Sequence, residues 1–428
     1  MTACEIDRSE RLHGLDGLRG AALLLGVVLH AAMSFFPTQI WIVGDDQRSA
    51  WASGLFFVIH LFRMTTFFLI AGLFAHMMLA HMMLARRGTW RFVKNRMVRI
   101  AAPLAVFWGA VLAAIVAVLI WNASLQGLTA ADAPPTPTYD WTNVPLTHLW
   151  FLWVLMLFYA ALLILRAPFA LLDRDGGWSR SVDRLTAGLI GPWGAFLLGA
   201  PLAVALWLQP DWIAFFGVPT PDAGLVPNTP ALVGFGLAFG FGALLDRRRD
   251  LLGRMQAWGP ANLGLAVAAG AAALMLAGGP DPHLAPMTDP ATKAMTAAAF
   301  GVATYASAFA AVGLALRFWS RRSAVRRYLA DASYWIYIVH LPLVMAAQVL
   351  VQDWSLPWWA KLALVVVAVS GLSLASYELL IRHTFMGRWL NGRRVPWKQS
   401  APAALVPAEQ LANPSPLVHA TSYPRDRS

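Results

Sequence analysis

The stretch LDGLRGAALLLGVVLHAAMSFF, residues 15–36, is apolar and long enough to cross a membrane as one helix. It nevertheless carries Arg19 near one end and His30 near its middle. At ~100° per residue, eleven residues make about three turns, so both side chains lie on one helix face, about 16 Å apart along the axis. Ionisable groups at membrane depth are usually functional. The alternative is a histidine that only hydrogen-bonds to a neighbouring helix.

The composition of the whole chain is that of a membrane protein. Of its 428 residues, 58% are hydrophobic and only 13% are charged, and a soluble domain of this size carries more charge. The single cysteine, Cys4, excludes an internal disulfide and a cysteine-based metal cluster, and we expect no metal site. The sequence therefore predicts an all-α, polytopic membrane protein.

The hydropathy pattern predicts about ten transmembrane helices. Lysine and arginine concentrate in alternate connections: residues 80–99 hold six, whereas loops 122–147 and 209–228 hold none. By the positive-inside rule, both termini are cytoplasmic, and the net charge of +11 reflects topology and not binding of nucleic acid. The predicted spans are 17–36, 53–79, 101–121, 149–171, 187–208, 229–245, 259–277, 294–316, 332–351 and 359–380.

This pattern divides the chain into three parts. Residues 1–14 form a cytoplasmic segment, residues 15–385 form the membrane domain, and residues 386–428 form a cytoplasmic tail. Proline, alanine and serine are frequent in the tail, which predicts disorder.

Several predicted spans carry polar side chains near mid-membrane. His60 and Arg63 are three residues apart in the second span and share a face. His340 lies at a similar depth in the ninth. Because one shared polar cavity costs less than separate buried charges, we expect these residues to meet. For Arg63, the alternative is a purely structural pairing with a helix carbonyl.

Two further candidates lie near span ends. His148 opens the fourth span beside Trp150, where an interfacial histidine without function is equally consistent with the sequence. Glu378, near the end of the tenth span, is a candidate catalytic carboxylate, or else a partner of Arg382 one helical turn later.

The basic run RRGTWRFVKNRMVRIAAP, residues 86–103, precedes the third span. Arg96 and Arg99 lie off its apolar stripe and share a face, so they could hold phosphates at the cytoplasmic mouth. Contact with lipid headgroups is the alternative.

Together these segments resemble the acyltransferase-3 family of membrane acyltransferases, in the branch that includes the periplasmic glucan succinyltransferase. The resemblance rests on Arg19 and His30 in LDGLRGAALLLGVVLH, on the R-x-x-R of Arg96 and Arg99, and on HLFRMTTFFLIAGLF, HLWFL and ASYWIYIVHLPL. It implies a protein of the bacterial inner membrane that transfers an acetyl or succinyl group from cytoplasmic acyl-CoA to a hydroxyl of an extracytoplasmic glycan, such as a periplasmic glucan.

The resemblance also implies roles for individual residues. His30 would be the essential histidine with Arg19 as its partner, and Arg96 and Arg99 would contact CoA. No permanently bound cofactor is expected.

The chemistry of the residues is consistent with this activity. A neutral histidine (His30 or His340) can take the hydroxyl proton, and Arg63 can stabilise the oxyanion. Glu378 is then a further catalytic candidate, and Arg19, His60 and His148 are candidates for substrate binding.

Two other functions remain open on the sequence. A secondary transporter or flippase for an anionic sugar or lipid would also place arginine and histidine at mid-membrane, but would not consume CoA. A non-catalytic membrane scaffold would tolerate the loss of His30.

Overall fold

The computed structural model describes residues 3–84, 88–129, 132 and 138–397. The predicted all-α membrane class is confirmed, and within these ranges there is no strand, only an isolated bridge between Pro145 and Ala223. The helices are α1 (Ala3–Ala32), α2 (Ala50–Leu84), α3 (Gly88–Arg96), α4 (Ala102–Leu125), α5 (Trp150–Leu172), α6 (Gly177–Leu189), α7 (Gly194–Leu208), α8 (Thr229–Arg247), α9 (Leu252–Leu276), α10 (Pro290–Phe318), α11 (Ala324–Val351), α12 (Trp358–Ser376) and α13 (Phe385–Asn391).

The number of spans agrees with the prediction of about ten. Nine helical segments of the described chain are long and apolar enough to cross a membrane, and α6 with α7 would make a tenth. These two helices meet at 97° around the break between Leu189 and Gly194, so the predicted span 187–208 is not one straight helix. A Cβ on Gly194 would lie 1.8 Å from the Leu189 carbonyl oxygen, so the sharp bend depends on glycine at this position.

Two of the helix pairs in the bundle place the polar residues. α2 packs against α8, where a Cβ on Gly72 or on Gly242 would come within 1.9 Å of a carbonyl oxygen on the facing helix. α1 packs against α11, where a Cβ on Gly20 would lie 3.3 Å from the backbone nitrogen of Ala330. Small residues let membrane helices approach this closely, because there is no side chain to hold the backbones apart.

The segment that follows α12 is ordered further than expected. A π-helical turn, Tyr377–Arg382, is followed by α13, and the Trp389 indole donates a 2.7 Å hydrogen bond to the Val98 carbonyl. The predicted tail 386–428 thus begins with helical structure that packs back onto the bundle. Residues 398–428, to which the predicted disorder chiefly applies, lie outside the described residues, as do 130–131 and 133–137 of the loop 122–147.

Candidate active site

A cavity of about 590 Å³ lies in the interior of the bundle. Four parts of the chain bring basic side chains to its wall, namely α1, α2, the short turn before α5, and α11, and the loop 209–228 adds Asp211 and Asp222. The basic side chains are His30, His60, Arg63, His148 and His340. The predicted convergence of polar residues is therefore present, and His148 belongs to it and is 8% exposed.

Three of the histidine rings form a row. The ring centroids of His30 and His340 are 5.4 Å apart, and those of His340 and His148 are 4.9 Å apart. His340 Nδ1 lies 2.8 Å from the Tyr337 carbonyl oxygen, and His148 Nε2 lies 3.1 Å from the Ile338 carbonyl oxygen. Because a carbonyl only accepts, the nitrogen facing it carries the hydrogen, and the other nitrogen of each neutral ring keeps a free lone pair.

Arg63 reaches this row because residue 26 is glycine. A Cβ on Gly26 would lie 2.2 Å from Arg63 Nη1 and 3.7 Å from His340 Nε2, so guanidinium and imidazole share the space that a side chain would fill. Arg63 has no carboxylate partner within the described ranges, and its Nε is buried without a hydrogen bond. Its positive charge is thus available to a ligand in the cavity.

The wall of the cavity holds several buried polar atoms that have no hydrogen-bond partner. Ten buried side-chain nitrogen or oxygen atoms have no hydrogen-bond partner in the described part of the chain, and five belong to residues that line this cavity. They are His30 Nδ1, Arg63 Nε, Thr147 Oγ1, His148 Nδ1 and His340 Nε2. Because buried polar groups are normally paired, this concentration indicates a site for a polar ligand.

The remaining basic group of the wall, His60, lies against the loop 209–228. Its ring stacks on Phe56 with a centroid separation of 5.1 Å and faces backbone groups of Phe216 and Val218. His60 therefore connects the cavity wall to this loop and stands apart from the row of three rings.

The loops 122–147 and 209–228, which contain no lysine or arginine, form backbone hydrogen bonds with each other at the cavity. The Leu146 amide donates to the Asp222 carbonyl at 2.8 Å, and the Gly224 amide donates to the Val144 carbonyl at 2.9 Å. Thr147 and Asp211, with φ of 51° and 50°, have positive φ without being glycine, and both line the cavity. Backbone strain of this kind is typical of ligand sites.

Gln348 is a residue of this site that the sequence analysis missed. Its side-chain amide donates to the carbonyls of His30 and Ala31 at 3.0 and 3.2 Å, and its oxygen accepts from the Trp41 indole at 2.9 Å. The Trp41 ring lies 5.9 Å from that of His30. Gln348 thus fixes the end of α1 and one wall of the cavity together. A glutamine within an apolar span was the available signal.

A line of tyrosines on α11 connects the R-x-x-R segment to the histidines. Tyr334 donates to the Arg99 carbonyl at 2.9 Å, and Tyr337, one turn later, donates to the His148 carbonyl at 2.7 Å. Arg99 lies in a π-helical turn, Met97–Ala101, and such turns often occur at functional sites.

Arg96, just before this turn, is held inside the bundle. It packs over the rings of Phe92 and Tyr159, and its guanidinium donates to Tyr159 Oη at 3.3 Å. The Arg99 guanidinium points elsewhere, because it packs against Gly392, where a Cβ would lie 1.8 Å from Arg99 Nη2. The two arginines therefore have different surroundings, although their spacing placed them on one face.

Arg19 and Glu378, like Arg96 and Arg99, do not line the cavity. Arg19 is 39% exposed and pairs with Asp16 at 3.4 Å in a separate cleft. Glu378 binds Arg382 at 2.9 Å, His383 at 3.0 Å and the Tyr328 hydroxyl at 3.1 Å. The structure thus favours the pairing of Glu378 with Arg382 over a place among the catalytic candidates. The shared helix face of Arg19 and His30 does not put them in one pocket.

Comparison with known proteins identifies the family of the chain. The acyltransferase domain family matches residues 12–378. Glucans biosynthesis protein C from Escherichia coli K12 and that from Shigella dysenteriae serotype 1 are each 29% identical over 152 residues, which is 35% of this chain and 37% of the relative. The similarity thus covers about a third of each relative's length, and no solved structure matches the chain significantly. Because the family match extends over most of the chain, this protein belongs to the acyltransferase-3 family.

Proposed function

We propose that this protein is an O-acyltransferase of the bacterial inner membrane, with both termini in the cytoplasm. It moves an acetyl or succinyl group from cytoplasmic acyl-CoA to a hydroxyl of an extracytoplasmic glycan. Membership of the family supports acyl transfer, and the partial similarity to glucans biosynthesis protein C supports a glucan as the acceptor.

The observation that carries the proposal is the set of unused polar atoms on the cavity wall. A hydroxyl that attacks a thioester needs a lone pair to take its proton and a positive group near the carbonyl oxygen. Buried histidine nitrogens without a partner, on His30, His148 and His340, supply the first, and Arg63, which shares the space at Gly26 with His340, supplies the second.

The reaction can be written with these groups. The acceptor oxygen bonds to the thioester carbonyl carbon while His30 takes the hydroxyl proton, and Arg63 stabilises the negative charge that develops on the carbonyl oxygen. The tetrahedral intermediate then breaks its carbon–sulfur bond, and the thiolate of CoA receives the proton. The products are the ester and free CoA. His340, whose Nε2 would lie 3.7 Å from a Cβ on Gly26 as Arg63 Nη1 would lie 2.2 Å from it, is the second candidate for the base.

The donor would enter beside the R-x-x-R segment. Arg96 and Arg99 are proposed contacts for the phosphates of CoA. Two hydrogen bonds from α11 connect this segment to the cavity, because Tyr334 binds the Arg99 carbonyl and Tyr337 binds the His148 carbonyl. CoA is a substrate here, and no permanently bound cofactor is required.

Release of the CoA thiol tests the proposal. The purified protein, with Cys4 replaced by serine, is given acyl-CoA and a glucan acceptor; the thiol is followed with a thiol reagent and the ester by mass spectrometry. His30→Gln keeps a polar side chain but cannot take up a proton, so we expect a loss of about 10²–10⁴-fold, as for His30→Ala. His81→Gln, an exposed histidine on α2, is the matched control.

Each alternative predicts a different result. If His30→Gln retains wild-type turnover and His340→Gln does not, the base is His340. If wild-type protein moves a sugar or lipid across vesicles without releasing thiol, it is a transporter and the proposal is wrong.

A further inference from the structure

A second cleft, of about 350 Å³, lies beside residues 13–19 of α1, three or more turns before His30. Its wall consists of residues 13–19 of α1, the connection between α10 and α11, and the start of α11, and it shares no residue with the histidine cavity. Five arginines line it: Arg19, Arg321, Arg322, Arg326 and Arg327. We call it the arginine cleft.

Among the side chains that the structure describes, few carboxylates face the positive charges of the arginine cleft. Only two carboxylates line it. Asp16 pairs with Arg19, and Asp331 pairs with Arg393, which is not part of the cleft. Among the side chains that the structure describes, which on α1 begin at His13, the other four arginines have no carboxylate partner.

Two of these arginines donate hydrogen bonds, one to an imidazole and one to a backbone carbonyl. The Arg322 guanidinium donates to His13 Nε2 at 3.0 Å, and the Arg326 guanidinium donates to the Arg321 carbonyl. The positive charges of these arginines repel each other, and an anion bound between them would reduce this repulsion.

The backbone adds to this field and shapes the cleft. α11, a helix of 28 residues, begins here, with Ser323 accepting a hydrogen bond from the Arg326 amide at 3.3 Å. The free amides of its first turn and its dipole favour an anion at this end. On α1, a Cβ on Gly17 would lie 3.2 Å from Arg326 Cδ, so glycine lets the Arg326 stem lie against α1.

We propose that the arginine cleft binds a phosphate-bearing anion. Two sources of this phosphate have the same chemistry. One is a phosphate at the nucleotide end of acyl-CoA other than those that contact Arg96 and Arg99, and this source rests on the proposed function. The other is the headgroup of an anionic phospholipid. Arginines that only determine the orientation of the spans in the membrane need not surround a cleft beside a helix N-terminus. Because α1 also carries His30, an occupied cleft would fix the helix that presents that residue.

Binding to full-length protein in nanodiscs tests this proposal. The variant Arg322→Gln/Arg327→Gln removes two exposed charges of the cleft, and Arg166→Gln/Arg174→Gln removes two exposed charges outside it as the matched control. CoA is titrated in phosphatidylcholine nanodiscs, and retention of phosphatidylglycerol after extraction is measured by native mass spectrometry. Thermal melting of each variant shows that it is folded.

The results assign the source. If the cleft variant raises the Kd for CoA by about tenfold or more per lost contact and the control does not, the phosphate is that of the nucleotide. If CoA binding is unchanged but the cleft variant alone loses phosphatidylglycerol, the phosphate is that of a lipid. If neither changes, the proposal is overturned. A wild-type protein that retains phosphatidylglycerol at the cleft but never binds CoA would contradict the proposed function and not the cleft.

Discussion

Gly26→Ala probes the catalytic centre with a single methyl group. The new Cβ would lie 2.2 Å from Arg63 Nη1, so the guanidinium must move until the separation reaches the 3.4 Å at which ordinary contact begins, a shift of about 1.2 Å. A displacement of ~1 Å at a reacting centre can cost about 10² in rate. We therefore expect kcat for acyl transfer to fall by about a hundredfold.

The same change should not unfold the protein. Gly26 lies inside α1, where alanine is favoured over glycine by about 0.5–1 kcal/mol. The atom that has to move is the far end of a flexible side chain, so the methyl group is accommodated at little cost. The melting temperature should be unchanged or slightly higher, which separates the loss of activity from a loss of structure.

Rates of CoA thiol release, with melting followed by circular dichroism, test this expectation. Gly264→Ala, on α9, is the control, because a Cβ there meets nothing within 4 Å. In an Arg63→Met background, Gly26→Ala should have little further effect, since the displaced group is gone. A Gly26→Ala protein with wild-type kcat would show that the charge does not develop beside Arg63, and would refute the mechanism.

Three further changes test other parts of the structure. The Lys361 ammonium lies 2.8 Å from the Asp45 carboxylate, and both side chains are 2% exposed. Lys361→Met leaves this buried carboxylate without its partner and should lower the free energy of unfolding by about 3–5 kcal/mol. The melting temperature should partly recover in the double variant Asp45→Asn/Lys361→Met. Arg96→Ala and Arg99→Ala should raise KM for the acyl donor more than KM for the acceptor in initial-rate assays, and unchanged donor kinetics would leave both arginines with a topological role only. In a Cys4→Ser background, a membrane-impermeant thiol reagent added outside cells should modify Ser124→Cys but not Ser323→Cys, and the reverse pattern would invert the proposed orientation.

The membrane spans of this protein, and the depth of the ionisable residues within them, can be predicted from local sequence. Whether a segment crosses a membrane depends on its own length and hydropathy, so nearly all the predicted spans correspond to helices. The depth of an ionisable residue in its span is likewise local, which is why His30, Arg63 and His340 were singled out. The bend between α6 and α7 was missed, because it depends on close backbone packing at Gly194 that hydropathy does not report.

Which polar residues meet is not a local property. Arg19 and His30 share a helix face as the periodicity predicts, but Arg19 borders the arginine cleft while His30 lines the histidine cavity. His148 and Glu378 both lie near span ends, and only the first is drawn inward, through its contacts with α11. The periodicity of a helix gives the direction of each side chain, whereas its surroundings depend on which helices pack there. Gly26 and Gln348 show this most clearly, since each matters through atoms that are distant in the chain: Arg63 beside the first, His30 and Trp41 beside the second.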